Sequence, residues 1–385
     1  MWFYHQVLRP TLIRILLSFF LVIILFLGSA SIDSDAAMPV EMIRIAIVKN
    51  ATEILVDGDG LQAVRENGKT VSLVTPIKIT RLKDTLLADG VSYRRLSFSS
   101  SQAVFVNGKP YRGIAEISPS DKGLLVVNEL PLEAYLVGLI NCEISSAWPI
   151  EAVKAQAVIA RTYAMYRKET RKKAVYHMES TVIDQVYDGC LIEDSRANRA
   201  VTETSGEVLT YRKSVIQAFY HSNCGGRTEA AENVWGAALP YLKGVECEYC
   251  LNNPSTAWEQ VIPLKDIEDK LRVAGFKVST ITDIRAGAVN NRGRLKSIVI
   301  VSSRGNLSLT GDQFRKTIGY GLIKSTNLKI KVLNGEAVFS GLGSGHAVGL
   351  CQWGAKQRAL DGFSYAEILS YYYPGTELKM LFDVR

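Results

Sequence analysis

The chain is expected to be an α+β protein in which a β-rich N-terminal module leads into an interleaved mixed α/β domain with a groove. Three features of its 385 residues predict this. From Met42 to about Val126, short alternating stretches such as IRIAIVKN are punctuated by turn pairs at Asp57-Gly58, Asp59-Gly60, Asn67-Gly68 and Asn107-Gly108, the grammar of strands and hairpins. At Leu130 the period changes: Leu132, Tyr135, Leu136, Leu139 and Ile140 share one helical face, with Pro131 suited to a first turn. Beyond about residue 181, short strand and helix patterns alternate to the end, without an internal repeat or a low-complexity linker. The expected division is 40–125 for the β-rich module and 126–385 for the mixed domain.

The elements follow in order. Residues 1–30 carry Arg9 and Arg14, an apolar run Ile15–Leu27, and Gly28-Ser29-Ala30, the layout of a secretory signal peptide or, if uncleaved, a membrane anchor. Either places the body outside the cytoplasm, in the cell envelope. A second helix is expected from Pro149 to about Arg171. Its seam is Ile150, Val153, Ala157, Ala160 and Ala164, with Ala152 and Ala155 slimming the flank for close packing. TVIDQVYDG reads as a strand, Arg196–Thr204 as a helix, and GEVLTYRKSVIQAFYHSNCGG as strands. Helices are expected at Leu264–Ala274 and from Asp312, around strands LKSIVIVSS and NLSLT. A Gly-rich loop, GLGSGHAVGL, precedes a helix to about Leu360. The loop lacks the lysine and the strand–helix setting of a phosphate cradle and is assigned to ligand contact or tight turns.

The charge balance excludes one class of partner. Lys and Arg number 45 against 38 Asp and Glu, a formal +7, which becomes +5 without the two arginines of residues 1–30. No arginine-rich stripe with interleaved aromatics occurs, so nucleic acid is not the expected partner, whereas a modest positive excess suits an anionic envelope polymer.

Residues 141–166 hold the most informative stretch. Glu143 ends the first helix, and Ser145-Ser146-Ala147-Trp148-Pro149 breaks the chain before the second. A carboxyl at such a helix–helix corner, beside Cys142 and Ile144, is placed to have its pKa raised, as a proton donor requires. The plainer reading is a helix-end carboxylate with a structural hydrogen bond. Glu133 and Glu151 are expected in exposed helical positions, and Arg161 in a buried structural ion pair.

Four separated motifs in order sharpen this reading. LPLEAYLVGLINCEISSAWPIEAVKAQAVIARTYAMY, then DQVYDG, then AFYHSNCGGRTEAAENVWG with PYLKGV, and finally GSGHAVGLCQWGAK with YYYPGTEL resemble the stage II sporulation protein D (SpoIID) family of lytic transglycosylases, which also includes the amidase-enhancer proteins. The resemblance covers roughly residues 105–378. It implies that Glu143 is the catalytic acid/base and that the substrate is the glycan strand of peptidoglycan. A hydrolase ordinarily needs two flanking carboxylates. A lytic transglycosylase can use one, because the sugar's own 6-hydroxyl is the nucleophile and closes a 1,6-anhydro ring. The alternative is a non-enzymatic peptidoglycan-binding protein that activates a separate cell-wall amidase. Where the family usually has glycine and serine, this chain has Ala347 and Cys351.

Tyr220 is the expected second catalytic group, and Gln185, Tyr187, Ser222, His346 and Gln352 are the expected sugar contacts, since amide, phenol, hydroxyl and imidazole groups suit polyols. Trp148, Trp235 and Trp353 lie beside turns or helix starts and read as packing anchors. His221, Cys224, Cys247 and Cys250 form a candidate tetrahedral set for one structural zinc, closed to water. A Cys247–Cys250 or Cys224–Cys250 disulfide is the alternative in an exported chain.

Overall fold

The computed structural model describes residues 40–384; the signal or anchor expected over residues 1–30 lies outside them. The first stretch forms two sheets over one core. Seven strands run in the spatial order Met178–Glu179, Met42–Ala51, Gly123–Pro131, Ile114–Ser120, Leu96–Ser99, Gln62–Arg65, Thr70–Val71. Six more run Lys109–Tyr111, Val104–Val106, Glu53–Asp57, Ile77–Leu82, Thr85–Ala88, Val91–Tyr93. The alternation seen in IRIAIVKN becomes the buried Ile43 and Ile45, and Met42–Ala51 pairs antiparallel with Gly123–Pro131, a strand that straddles residue 125. The same core continues into the helices through Tyr135, Leu136, Val153 and Ala157.

Eight helices occur among the described residues: α1 (Leu132–Glu143), α2 (Ile150–Thr170), α3 (Ser195–Glu203), α4 (Ala231–Trp235), α5 (Leu264–Val273), α6 (Gly311–Ile318), α7 (Gln352–Leu360) and α8 (Tyr365–Tyr372). With the sheets they make the α+β fold that the sequence predicts. Prolines 131 and 149 sit at the N-caps of α1 and α2, where an absent N–H costs nothing.

Helix α2 is the axis of the molecule. Its predicted seam Val153, Ala157, Ala160 and Ala164 faces the first core, while Ala155, Val158 and Ile159 face a second core with Leu209, Leu350, Ile368 and Tyr373. A helix buried between two cores must be apolar nearly all round, and small side chains keep both partners close. Arg161 is buried in it and fulfils the expected ion pair, its guanidinium donating to Glu133 at 2.8 and 2.7 Å. Glu133 and Glu151 are therefore not free surface carboxylates: both are half-buried, and Glu151 accepts from the Tyr365 N–H at 2.8 Å.

Residues 257–342 form a block with its own core around Trp258, Leu271, Ile300, Phe314 and Phe339. Its terminal strands pair with each other, Ala257 opposite Leu342, so chain entry and exit are adjacent.

The predicted strand TVIDQVYDG is not a strand. Residues 181–188 run as turn and loop. The cause is Asp184, whose carboxylate binds Arg167 at 2.8 Å and accepts from the Glu179 N–H and the Tyr163 hydroxyl. These contacts hold the backbone out of a ladder and leave the next N–H groups for another use.

Packing of α1 against this loop gives a direct test. A Cβ on Gly138 would lie 2.5 Å from the Gly189 carbonyl oxygen and 2.8 Å from the Tyr187 ring. Gly to Ala in a helix ordinarily gains about 1 kcal/mol, but overpacking against backbone costs about 1–3 kcal/mol. Gly138→Ala is thus expected to lower the melting temperature by about 1–3 °C, since an unfolding entropy of about 2.1 cal/mol/K per residue makes the shift roughly 1–1.5 °C per kcal/mol for a chain of this size. A rise would show that α1 is not seated on Gly189.

Candidate active site

Glu143 is the last residue of α1, and the corner beyond it is fastened from outside. Asn141 Oδ1 accepts from the Ser146 N–H at 2.8 Å, and Asp194 takes Asn141 Nδ2 at 2.7 Å and Ser146 Oγ at 2.5 Å. Asp194 is also the N-cap of α3, accepting from the Ala197 N–H. Burial works against its ionisation, yet these bonds outweigh it and hold its pKa below the ordinary value. The carboxylate of Asp194 thus pins the turn that carries Glu143.

The Glu143 carboxyl points inward. Its Oε1 accepts the Val186 N–H at 3.1 Å, a donor available because loop 181–188 forms no ladder. Tyr220 and Gln352 supply the other hydrogen bonds. Behind Tyr220 runs a chain of donors: Tyr135 OH donates to Gln185 Oε1 at 3.1 Å, and Gln185 Nε2 donates to Tyr220 OH at 3.2 Å. Tyr220 must then offer its own proton to Glu143. Burial, then the Glu143 charge, push the Tyr220 pKa far upward, so it remains a donor. Burial likewise pushes the Glu143 carboxyl up, and its three hydrogen bonds only partly offset the rise. No second carboxylate joins it among the described residues: Asp184 is held by Arg167 and Arg171, and Asp188 by Lys109.

The expected sugar contacts divide. Gln352, at the start of α7, reaches Glu143 and also donates to Gln156 Oε1 at 3.3 Å. Gln185 is 1% exposed and serves Tyr220 rather than any ligand. Tyr187 is 3% exposed, packs between Tyr111 and Tyr135, and bonds Asn128 Oδ1 at 3.1 Å. Its expected ligand contact is therefore corrected to a core role. Ser222 is half-buried and its carbonyl accepts the Trp353 N–H at 3.1 Å. His346 is half-buried, with Nδ1 accepting from the Val348 N–H at 3.0 Å and a hydrogen bond to the Tyr220 main chain. Burial and the Arg315 and Arg294 charges lower its pKa to about 3, so the imidazole is neutral.

The loop of His346 is clamped on both sides. Ala347 adopts φ +66°, and its carbonyl accepts from the Glu229 N–H at 2.7 Å. The Glu229 carboxylate is buried, taking Asn233 Nδ2 and Asn290 Nδ2 at 2.8 Å each, with Arg292 and Arg294 at 3.7 and 3.8 Å. Arg292 and Arg294 belong to the 257–342 block, so that block reaches back to brace the site.

The candidate metal set changes in one member. Four buried thiols, Cys224, Cys247, Cys250 and Cys351, place their sulfurs within 4.8 Å of one another; His221 is not among them. The reason is the parallel pairing of Tyr220–His221 with Leu350–Cys351, which brings Cys351 beside Cys224. His221 instead aims Nδ1 at the Val348 carbonyl, 3.2 Å away, and its ring neighbours His346. All six cysteines are free thiols, with Cys224 and Cys250 sulfurs 3.4 Å apart. The Cys224 and Gly354 N–H groups donate to the Cys351 sulfur at 3.3 and 3.4 Å, and the Tyr372 hydroxyl lies 3.1 Å from the Cys247 sulfur. Four clustered sulfurs ringed by donors suit a metal-bound thiolate set.

Of the three tryptophans read as anchors, Trp148 and Trp353 do pack together, ring centroids 4.9 Å apart, with the Lys356 ammonium over both. Trp235 departs from that reading: it is 43% exposed. Nothing local in the sequence distinguishes it from the other two.

Residues 120–211 match the family model SpoIID, stage II sporulation protein. The chain is similar to an uncharacterised protein of Brachyspira hyodysenteriae, 35% identical over 75% of this chain and 77% of that one. It is also similar to the amidase enhancer of Bacillus subtilis, 32% identical over 73% of this chain but only 46% of the relative's length. Stage II sporulation protein D of the same organism is 29% identical over 66% of this chain and 76% of its own. The matched stretch contains the α1–α2 corner, Glu143 and Gln185, and the similarity to relatives runs well beyond it: this chain belongs to the SpoIID family of stage II sporulation proteins.

Proposed function

We propose that this protein is an exported lytic transglycosylase of peptidoglycan, working in the cell envelope with Glu143 as its single acid/base. The observation that carries the reading is the solitude of that carboxyl: buried, raised in pKa, and surrounded by hydrogen-bond donors rather than by a second acid. Protonated Glu143 gives its proton to the glycosidic oxygen, and the bond to the anomeric carbon breaks. The carboxylate then removes the proton of the sugar's 6-hydroxyl, whose oxygen bonds the same carbon. The products are a free hydroxyl end and a 1,6-anhydro end, with no water consumed. Tyr220 and Gln352 stabilise the carboxylate between the two transfers.

A zinc ion would be held by Cys224, Cys247, Cys250 and Cys351. With four protein sulfurs it would be closed, fixing the loop that leads from Tyr220 to Cys224 rather than activating water. A second reading draws on the similarity to an amidase enhancer: the same site would bind glycan without cutting it and stimulate a separate cell-wall amidase. Mass analysis of glycan strands digested by the purified chain alone separates the two. Anhydro ends support the first; cleavage only when an amidase is added supports the second.

Four outcomes are expected. Glu143→Gln should lower kcat by about 10²–10⁴-fold, the usual worth of a general acid; full activity would remove the mechanism. Because the folded pKa of Glu143 is raised, its favourable contribution is complete below the ordinary carboxylate range and is lost as pH rises through the folded value. The Gln variant should therefore melt higher than wild type at neutral pH, with the gap closing in acid. Tyr220→Phe removes a bond that favours the carboxylate, so the alkaline limb of the activity profile should move to higher pH. Finally, Cys351→Ser should lose the zinc measured by atomic absorption, whereas His221→Ala should retain it.

A further inference from the structure

Trp235 closes the short helix α4, because Gly236 behind it turns left-handed at φ +78°. The turn lays the indole against Phe219, ring centroids 4.4 Å apart, and His346, 5.1 Å apart. Its position relative to Glu143 is fixed by short links. Phe219 immediately precedes Tyr220, which bonds Glu143, and His346 is hydrogen-bonded to the Tyr220 main chain. The His346 ring is in turn locked by the Val348 N–H. The indole nitrogen makes no hydrogen bond among the described residues. A large ring that is immobilised, left 43% open and given an idle donor is an unusual way to finish a helix when its neighbours are packed.

We propose that Trp235 is a sugar-stacking platform beside the Phe219–Tyr220 segment that leads to Glu143. The exposed indole face takes the apolar C–H face of one pyranose ring, and Nε1–H donates to a hydroxyl or N-acetyl oxygen at that ring's rim. A pyranose has this same division between apolar face and polar rim, so an amphipathic ring complements it where an aliphatic side chain would not. His346, neutral and braced by Glu229 and Ala347, is the wall that sets the tilt of the indole. The inference rests on the glycan-cleaving reading and adds to it a binding subsite away from the proton transfer.

The test uses the full exported chain and purified peptidoglycan glycan strands, with steady-state kinetics and calorimetric binding. Trp235→Ala should raise KM by about tenfold with kcat changed less than about twofold, the scale of one aromatic stacking contact. Trp235→Phe should restore most of the affinity. The same loss should appear in binding when Trp235→Ala is built on the inactive Glu143→Gln background, where chemistry plays no part. Unchanged KM and binding in the Ala variant would overturn the platform while leaving the proposed chemistry intact. A fall in kcat at constant KM would also overturn it, by showing a packing role. Wild-type protein that binds no strands at all would remove both readings, whereas an active Glu143→Gln variant with weakened Trp235→Ala binding would remove only the assignment of the acid.

Discussion

One carboxyl, kept out of water at the end of a helix, organises this molecule. Ionising a buried acid is costly, and the cost is held down here by donors drawn from three distant places: a loop N–H at Val186, a phenol at Tyr220 and an amide at Gln352. Each requires its own scaffold. Val186 is free to donate because Asp184 ties its loop to Arg167 and Arg171. Tyr220 is oriented by Gln185 and Tyr135. Gln352 is presented by the first turn of α7, whose N-cap is Cys351. The acid, the thiol cluster and the Gly-rich loop are thus coupled through adjacent residues of two short paired strands.

The scaffold explains the alanine-rich helix. α2 separates two cores and must allow α1 on one side and the α7–α8 layer on the other to approach together. Larger residues there would push Glu143 away from Gln352. The two sheets of residues 42–131 join the first of these cores and back the corner from behind, so the β-rich region supports the site without lending a side chain to the carboxyl.

How much of this was legible depends on the range of the interaction. Helix periods, proline caps, the corner at 145–149 and the Arg161 ion pair are local or nearly so, and the residues announce them. Glu143 was legible because an acid ending an apolar helix before a break has few plain uses. The β-branched residues of the loop at 181–188 favour a strand, while the arginines that override them are Arg167 on α2 and Arg171 at its C-cap. Cys224, Cys247 and Cys250 were visible from their spacing. Their fourth partner was not, since Cys351 arrives from about a hundred residues away through a parallel pairing that has no local signature. The signal that existed was Cys351 itself, a cysteine that the close-spaced thiols leave unassigned. Tyr187 was misplaced for a related reason: a tyrosine two residues from a site residue can face either way, and Asn128 decides which.

The alanine at position 347 has a consequence of its own. A left-handed backbone costs a residue bearing a Cβ about 1–2 kcal/mol that glycine does not incur. The segment bearing His346 is therefore a cocked spring, held shut by the Glu229 amide and by arginines lent from the 257–342 block. Through the single carboxylate of Glu229, the block thus shares in holding that backbone in place.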